Sequence, residues 1–185
     1  MMRAMAASPA LFPALLGEQW HALAAPVRRM HGDATRVRAL GAADVAGAAH
    51  LPARLLRRML GLPEPGPAQA LEVVIERHAG HETWTRRFAH GRMRSRLTCG
   101  PRGDRLHERL GPVTLQFALC RAGDAIDWQL RGGHLLGLPL PRAWFGAVYS
   151  RSGAQQERYA FQIDTRLPLL GQLIAYRGWL EPADE

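Results

Sequence analysis

The amino-acid sequence predicts an α+β fold in which N-terminal helices pack on a strongly curved antiparallel β-meander of about eight strands, shaped as a half-barrel or a barrel. Beyond residue 70, short runs of alternating polar and apolar residues are separated by Gly, Pro or Asp, which is typical of strands and hairpins. No helical stretch of useful length separates these runs, so parallel pairing is disfavoured. A long meander also exposes edge strands, which strong curvature or closure protects.

The size of the chain favours one domain. Its 185 residues, with a hydrophobic content of 47%, are enough to bury a sizeable core. We expect a single domain over 1–185, with a mainly helical part at 1–63 and the antiparallel sheet at 71–180. About 60 residues of helical sequence would not bury a core alone. The proline-rich segment between the two parts is therefore interpreted as a connection within one fold.

The charge pattern excludes several reaction classes. The net charge is +8, and all 24 positively charged residues are arginine because the sequence has no lysine. Schiff-base chemistry, a P-loop and a protein-kinase site each require a lysine, so all three are excluded. The arginines are spread along the chain, and a local group such as Arg92, Arg94 and Arg96 falls on the outward face of one strand. We expect an ordinary solvated surface and no nucleic-acid partner.

Cysteine usage and the apolar segments indicate a soluble, cytoplasmic protein without a membrane span. Cys99 and Cys120 fall on opposite faces of different predicted strands, so a disulfide is not expected. Two free thiols suit a reducing compartment. The apolar N-terminus is interrupted by Pro9 and Pro13, which matches a signal peptide poorly. No apolar run approaches the about 20 residues that a membrane helix needs.

The N-terminal segment predicts a series of short helices. Ser8 and Pro9 have the character of an N-cap and a first helical turn, and Gly17 that of a C-terminal stop. The other elements predicted before residue 41 are a short helix at 18–23, one further turn at 27–31 and a weak strand at 35–40.

The segment 52–60 gives the clearest helical pattern. Five apolar residues recur at helical spacing, and three arginines take the opposite face, which is typical of an amphipathic helix. The apolar residues are Leu51, Leu55, Leu56, Met59 and Leu60, and the arginines are Arg54, Arg57 and Arg58. We expect the apolar face to pack on the sheet and Gly61 to end the helix.

From residue 71 onward, the alternating runs predict the strands of the meander. The runs are 71–78, 82–88, 93–99, 105–110, 113–121, 125–131, 144–149, 158–166 and 173–180. Turn-forming residues separate them, among them Gly132-Gly133 and Ser152-Gly153. Ser150 and Ser152 are accordingly interpreted as residues of a polar hairpin turn.

Three polar residues share the parity of apolar neighbours on their predicted strands. Arg86 lies between Trp84 and Phe88, and Ser95 and Glu108 each lie between two apolar residues. Alternate residues of a strand face the same side, so we expect all these side chains to face the interior. An unpaired buried charge is costly. Arg86 and Glu108 therefore either form a structural ion pair or line a cup in which Arg86 binds a carboxylate or phosphate.

Further site residues are less well determined. Tyr176 and Arg177 lie on the last strand, whose two faces are both partly apolar, so either side chain is a candidate for the cavity. The eight histidines are scattered, whereas tetrahedral zinc needs three or four converging ligands, so we expect no metal. The sequence has neither a G-x-S-x-G elbow nor a dinucleotide-binding G-x-G-x-x-G run, so no cofactor is expected.

Several stretches of the chain resemble one protein family. They are 11–17, 26–31, Trp84-x-Arg86-x-Phe88, Glu108-Arg109-x-Gly111-Pro112, Gly137-x-Pro139 and 161–179. Together they resemble the bacterial family catalogued as domain of unknown function 4166. The resemblance implies occurrence alone or attached to NAD-binding, saccharopine-dehydrogenase-like or epimerase-like domains. It supplies no established activity and no catalytic residue.

Three functional hypotheses follow from these observations. The first is a binding or accessory module that holds an amphipathic, anionic small molecule in the cup of the sheet through Arg86. The second is an isomerase or hydrolase in which Glu108 acts as a general base near Arg86, although a close arginine opposes that role. The third, which rests on the family resemblance, is an interaction module for an NAD-binding oxidoreductase partner. A fold alone does not choose among them.

Overall fold

A computed structural model describes residues 10–183. Its main feature is an antiparallel sheet of eleven strands, ten of which close into a barrel. The strands are β1 Arg36–Ala46, β2 Gly66–His78, β3 His81–Phe88, β4 Gly91–Cys99, β5 Leu106–Leu110, β6 Val113–Ala122, β7 Ala125–Leu135, β8 Leu138–Pro139, β9 Ala147–Gln155, β10 Arg158–Leu167 and β11 Gly171–Pro182. The prediction of a curved antiparallel, barrel-like sheet is confirmed, whereas about eight strands was too few.

Closure of the barrel follows from the strand order. The order is β6-β5-β4-β3-β2-β1-β11-β10-β9-β7, and β7 pairs back with β6. The β7–β9 junction is the shortest, with Ile126 opposite Ser152 and Asp127 opposite Arg151. The short strand β8 pairs with β7 outside the closed ring. A closed ring removes the free edges that a long open meander would expose.

Three elements differ from the sequence-based expectation. The weak strand predicted at 35–40 forms the first part of β1, but the strand continues to Ala46 through an Ala- and Gly-rich sequence with little strand signal, because it pairs on both sides, with β2 and β11. Strand β7 runs through Gly132-Gly133, which were predicted to form a turn. At Gly133 an added Cβ would lie 2.5 Å from the ring of Phe145, so glycine is needed there for packing and not for a turn. Strand β9 carries Ser150 and Ser152 as buried residues, so their assignment to a hairpin turn was wrong.

Strands β1 and β11 approach each other unusually closely. A Cβ on Gly41 would lie 1.9 Å from the carbonyl oxygen of Trp179, and one on Gly178 would lie 2.0 Å from that of Ala42. Neither distance is compatible with a side chain, so glycine is required at both positions for this degree of coiling.

The N-terminal helices close one end of the barrel, here called the floor. They are α1 Leu11–Leu16, a 3₁₀ helix Gly17–Ala22 and α2 Ala25–His31. Phe12, Val27 and Met30 are buried against the strands, and the Phe12 ring packs against Trp84 and Trp128. The prediction of short helices packed on the sheet is confirmed for this segment. The predicted helix start at 8–9 lies outside the described residues.

Helix α3, Leu51–Leu60, lies at the opposite end of the barrel, here called the mouth. The side chain of His50 caps its first turn, and Gly61 in the left-handed conformation ends it, as predicted. Its orientation differs from the prediction. Arg57 is buried, and its Nη1 donates hydrogen bonds to the carbonyl oxygens of Ala48 at 2.9 Å and Leu173 at 3.1 Å. These buried carbonyls need a donor, so the arginine turns inward.

The inward turn of Arg57 leaves much of the apolar stripe of α3 in solvent. Leu51, Leu55 and Met59 are exposed, while Leu56 and Leu60 line the barrel interior.

Both cysteines are free, as predicted. No helix within residues 10–183 combines the length and the apolarity that crossing a membrane would require.

Candidate functional site

A cavity of about 330 Å³ occupies the interior of the barrel and reaches its mouth. Its walls are mostly apolar side chains of the strands, α3 and the 3₁₀ helix Arg142–Phe145. The polar residues that line it are Arg86, Glu108, Ser150, Ser152, Tyr159, Thr165 and Tyr176. An apolar cavity of this size with a few convergent polar groups is typical of a small-molecule site.

Arg86 is the central polar residue of this cavity. Its Nη1 donates to Ser95 Oγ at 2.9 Å, its Nη2 donates to Glu108 Oε1 at 3.3 Å, and its guanidinium carbon lies 4.8 Å from the centre of the Trp84 ring. The side chains of Arg86 and Glu108 are each 9% exposed. The two alternatives that the sequence left open therefore coexist, because the ion pair forms and both of its members line the cavity.

The hydrogen bonds of Arg86 leave donors available. A guanidinium group carries five N–H donors in a fixed planar arrangement. Within the described part of the chain, Ser95 and Glu108 accept one bond each from it. The ion pair is monodentate, in contrast to the two-bond geometry that makes Arg–carboxylate pairs strongest. Donors therefore remain for an acceptor that enters the cavity.

The remaining predicted site residues divide between the two faces of the sheet. Phe88 and Tyr176 are buried, with ring centres 5.7 Å apart in an edge-to-face arrangement, and Tyr176 lines the cavity. Arg177 is exposed on the outer face of β11, opposite Asp44 of β1. It does not reach the cavity, because alternation along the strand turns it away from the side that Tyr176 faces.

A buried polar network lies deeper in the barrel, and the sequence-based reasoning did not find it. His31 Nε2 lies 3.1 Å from the Tyr159 hydroxyl, which donates to Ser152 Oγ at 2.9 Å. Ser152 Oγ also accepts a bond from Trp128 Nε1 at 3.2 Å. Tyr159 lies two residues before Phe161 on β10, so alternation along the strand would have indicated that Tyr159 faces the interior like Phe161. Ser152 was missed because it was assigned to a turn. His31 was missed because it lies on α2, and the strand pattern says nothing about which helix residues enter the barrel.

Burial keeps this network uncharged. The pKa of His31 is well below its usual value of 6.5, mainly because of burial and secondarily because Arg77 and Arg86 are near. Burial raises the pKa of Tyr159 to about 12 and also raises the pKa of Tyr176 above its usual value. The contact of Nε2 with the Tyr159 hydroxyl is the hydrogen bond that the neutral His31 ring makes in the described structure, where its Nδ1 has no partner.

The charged groups of the interior are compensated. Arg86 pairs with Glu108, and Arg77 Nε pairs with Glu82 Oε1 at 3.2 Å. Glu82 also accepts a bond from Trp84 Nε1 at 2.9 Å, so both of its carboxylate oxygens are hydrogen-bonded to residues of the barrel wall. Among residues 10–183, no three His, Cys, Asp or Glu side chains converge as metal ligands. The arrangement is suited to binding a molecule with one polar end.

Comparison with known proteins gives one family. Neither the curated proteins nor the solved structures gave a significant match. The profile of a family described as a domain of unknown function (DUF4166) matches residues 23–180. This match covers nearly all of the barrel, α2 and α3, and it confirms the family that the sequence resembles, although the stretch 11–17 lies outside the matched residues. The chain therefore belongs to the DUF4166 family.

Proposed function

We propose that this protein binds an amphipathic small molecule with a single apolar chain and one anionic head group, and holds it inside the barrel. The observation that carries the proposal is Arg86, a buried guanidinium with unused donors in an otherwise apolar cavity. A cavity of about 330 Å³ is at the small end of the range for ligand sites. It suits one chain better than a two-chain lipid.

The distribution of polar groups sets the orientation of the ligand. Arg86 lies two residues inside the mouth end of β3, which is Phe88. Between Arg86 and the mouth, the lining is apolar and includes Leu60, Leu62 and Met93. The head group therefore points inward to the guanidinium, and the apolar chain extends towards the mouth between α3 and the 3₁₀ helix that contains Trp144.

A carboxylate is the head group that these contacts favour. Its two oxygens match the paired donors of a guanidinium, and the Ser150 and Tyr159 side chains also line the cavity. Glu108 competes for the same guanidinium, because its oxygen is the present acceptor. Ligand binding therefore replaces or shares this monodentate bond, which is long enough at 3.3 Å to be displaced.

Two matched ligand series test the proposal. Purified protein is mixed with straight-chain alkyl carboxylates and with the alcohols of the same chain lengths, and binding is measured by native mass spectrometry and by the fluorescence of Trp84 and Trp128, which line the cavity. We expect the carboxylates to bind more tightly than the alcohols. We also expect Arg86→Leu to reduce carboxylate affinity by about tenfold or more, the loss of one charge-assisted bond.

Two further variants make this result interpretable. Arg86→Leu leaves Glu108 buried and unpaired, a change that costs about 3–5 kcal/mol of stability. The double variant Arg86→Leu/Glu108→Leu removes both charges, so a folded protein that has lost carboxylate binding isolates the role of the guanidinium. Arg87→Leu removes the adjacent arginine, which points outward to Glu72, and should bind like the wild type. Equal carboxylate affinity in the double variant and in Arg87→Leu would exclude Arg86 as the binding residue.

A further inference from the structure

Exposed apolar side chains are concentrated at the mouth of the barrel. Of the ten large apolar side chains exposed in the described structure, eight lie there, and Leu40 and Tyr149 lie on the outer wall. The eight, here called the apolar rim, are Leu51, Leu55, Met59, Leu135, Leu136, Leu138, Trp144 and Leu169. Single exposed apolar residues are ordinary, but the grouping of eight at one end of the barrel points to an interaction surface.

Hairpin turns at the two ends of the barrel show that the apolar character is specific to the mouth. Leu136 and Leu169 occupy turn positions with positive φ, at 52° and 64°. Leucine is an unfavourable residue there, since glycine or asparagine adopts this conformation more readily. At the floor end, the turn between β9 and β10 also has positive φ at both central residues, yet these are Gln156 and Glu157. The same backbone geometry thus carries polar residues at one end and leucine at the other.

The rim is surrounded by positive charge. The chain segments at the mouth are 47–65, 88–92, 109–113, 133–147 and 167–171. They contain one acidic residue, Glu64. Their arginines are Arg54, Arg57, Arg58, Arg92, Arg109 and Arg142, of which all but Arg57 are exposed. An apolar surface bordered by arginines matches the interface of an anionic bilayer, where apolar side chains enter between lipids and arginines contact phosphate groups.

We infer that the apolar rim docks the mouth of the barrel on the surface of an anionic lipid bilayer. A second copy of the chain fits less well, because two positively charged mouths facing each other would repel. The docked orientation directs the opening of the cavity towards the membrane. This inference does not rest on the cavity holding a ligand, because docking requires only the exposed apolar side chains and the arginines beside them, although Met59, Leu135 and Trp144 of the rim also line the opening of the cavity.

Vesicle sedimentation tests the inference. Purified protein is incubated with phosphatidylcholine vesicles and with vesicles that also contain phosphatidylglycerol, at low and at high salt. We expect partitioning to the anionic vesicles that weakens as salt rises. Leu136→Asn/Leu169→Asn should reduce the partition coefficient by about tenfold or more, since it removes two of the anchoring apolar groups. Asparagine suits the positive φ of residues 136 and 169, so this variant is expected to fold, and neither residue lines the cavity.

Three controls separate docking on a bilayer from ligand binding and from self-association. Leu40→Thr alters an exposed leucine on the outer wall and should partition like the wild type. Arg86→Leu/Glu108→Leu should also partition normally, so loss of ligand binding and loss of docking are distinguishable. Equal binding to both vesicle types, or equal partitioning of the rim variant and Leu40→Thr, would overturn the inference. A dimer of the wild type in buffer, detected by light scattering, would also overturn the inference if the rim variant were a monomer. The rim would then bind a second copy of the chain and not a bilayer.

Discussion

Arg86 illustrates how one side chain meets a structural and a binding requirement together. Alternation along β3 turns it inward, and a buried charge is tolerated only when it is paired and hydrogen-bonded. Ser95, Glu108 and the face of Trp84 supply these contacts. Because they use two of the five N–H groups, the guanidinium that these neighbours stabilise still has donors for a ligand.

His31 is a residue at which stability depends on pH. Its pKa is well below 6.5 in the folded protein, because of burial and then of Arg77 and Arg86, and it returns to about 6.5 on unfolding. Below pH 6.5 the unfolded chain binds a proton that the folded protein excludes. The free energy of unfolding therefore falls as the pH decreases through this range, by up to about 1.4 kcal/mol per pH unit from this residue.

The variant His31→Gln tests this dependence. Glutamine keeps a hydrogen-bonding group for Tyr159 but does not titrate. The free energy of unfolding of the variant therefore lacks the part of the pH dependence that His31 contributes. We expect the stability difference between wild type and variant, measured by urea unfolding, to shrink as the pH falls from about 7.5 to about 5.5. His107→Gln serves as a comparison, since burial lowers the pKa of His107 as well but this side chain is only partly buried. Parallel stability curves for wild type and His31→Gln would show that the pKa of His31 does not differ between the folded and unfolded chain.

Helix α3 shows that hydrophobic periodicity can identify an element without giving its orientation. The apolar stripe and Gly61 correctly predicted the helix and its end. The orientation was decided instead by two carbonyl groups that needed a donor, and Arg57 supplied it. Such a requirement arises only when β1 and β11 are already adjacent, so no local pattern contains it.

Arg57 is therefore expected to anchor α3 to the barrel. Replacing it by methionine removes charge-assisted bonds worth about 1.5–3 kcal/mol each while keeping a long apolar side chain. We predict that amide hydrogen exchange in 51–60 accelerates by about tenfold or more, with the β3 and β4 amides unchanged. Arg58→Met replaces the exposed neighbour and should leave exchange as in the wild type. Equal protection in the two variants would show that α3 is held by other contacts.

The closed barrel depends on close backbone approach between β1 and β11. At Gly178, an added Cβ would lie 2.0 Å from a backbone oxygen, which has no freedom to move away. We predict that Gly178→Ala destabilises the protein by about 1–3 kcal/mol or more, which lowers the melting temperature by about 2–4 °C per kcal/mol. Gly132→Ala is the matched strand control, because its nearest atom lies at an ordinary 3.6 Å. Similar melting temperatures for the two variants would contradict the need for glycine at this junction.

The sheet and the central part of the site were predictable, because both depend on period-two alternation. That pattern located the strands from β3 to β6 and placed Trp84, Arg86 and Glu108 on one face. Features set by contacts between distant segments were not predictable. Only the first part of β1 was predicted as a strand, because its extension to Ala46 depends on pairing on two sides, and the His31–Tyr159 bond joins residues 128 positions apart. The sequence contains no local pattern that predicts closure of the barrel at this point, since only two residues of β7 pair with β9.

The floor of the barrel comes partly from residues outside the matched region 23–180. The family match begins at residue 23, whereas α1 and the 3₁₀ helix that follows it precede this point. Phe12 of α1 lies against the indole rings of Trp84 and Trp128. The matched region supplies the rest of the floor, because α2 also packs against the strands and its Met30 lines the cavity. The closed end of the chamber is therefore built jointly by α1 and α2, and the length of the Met30 side chain limits how far a ligand can enter.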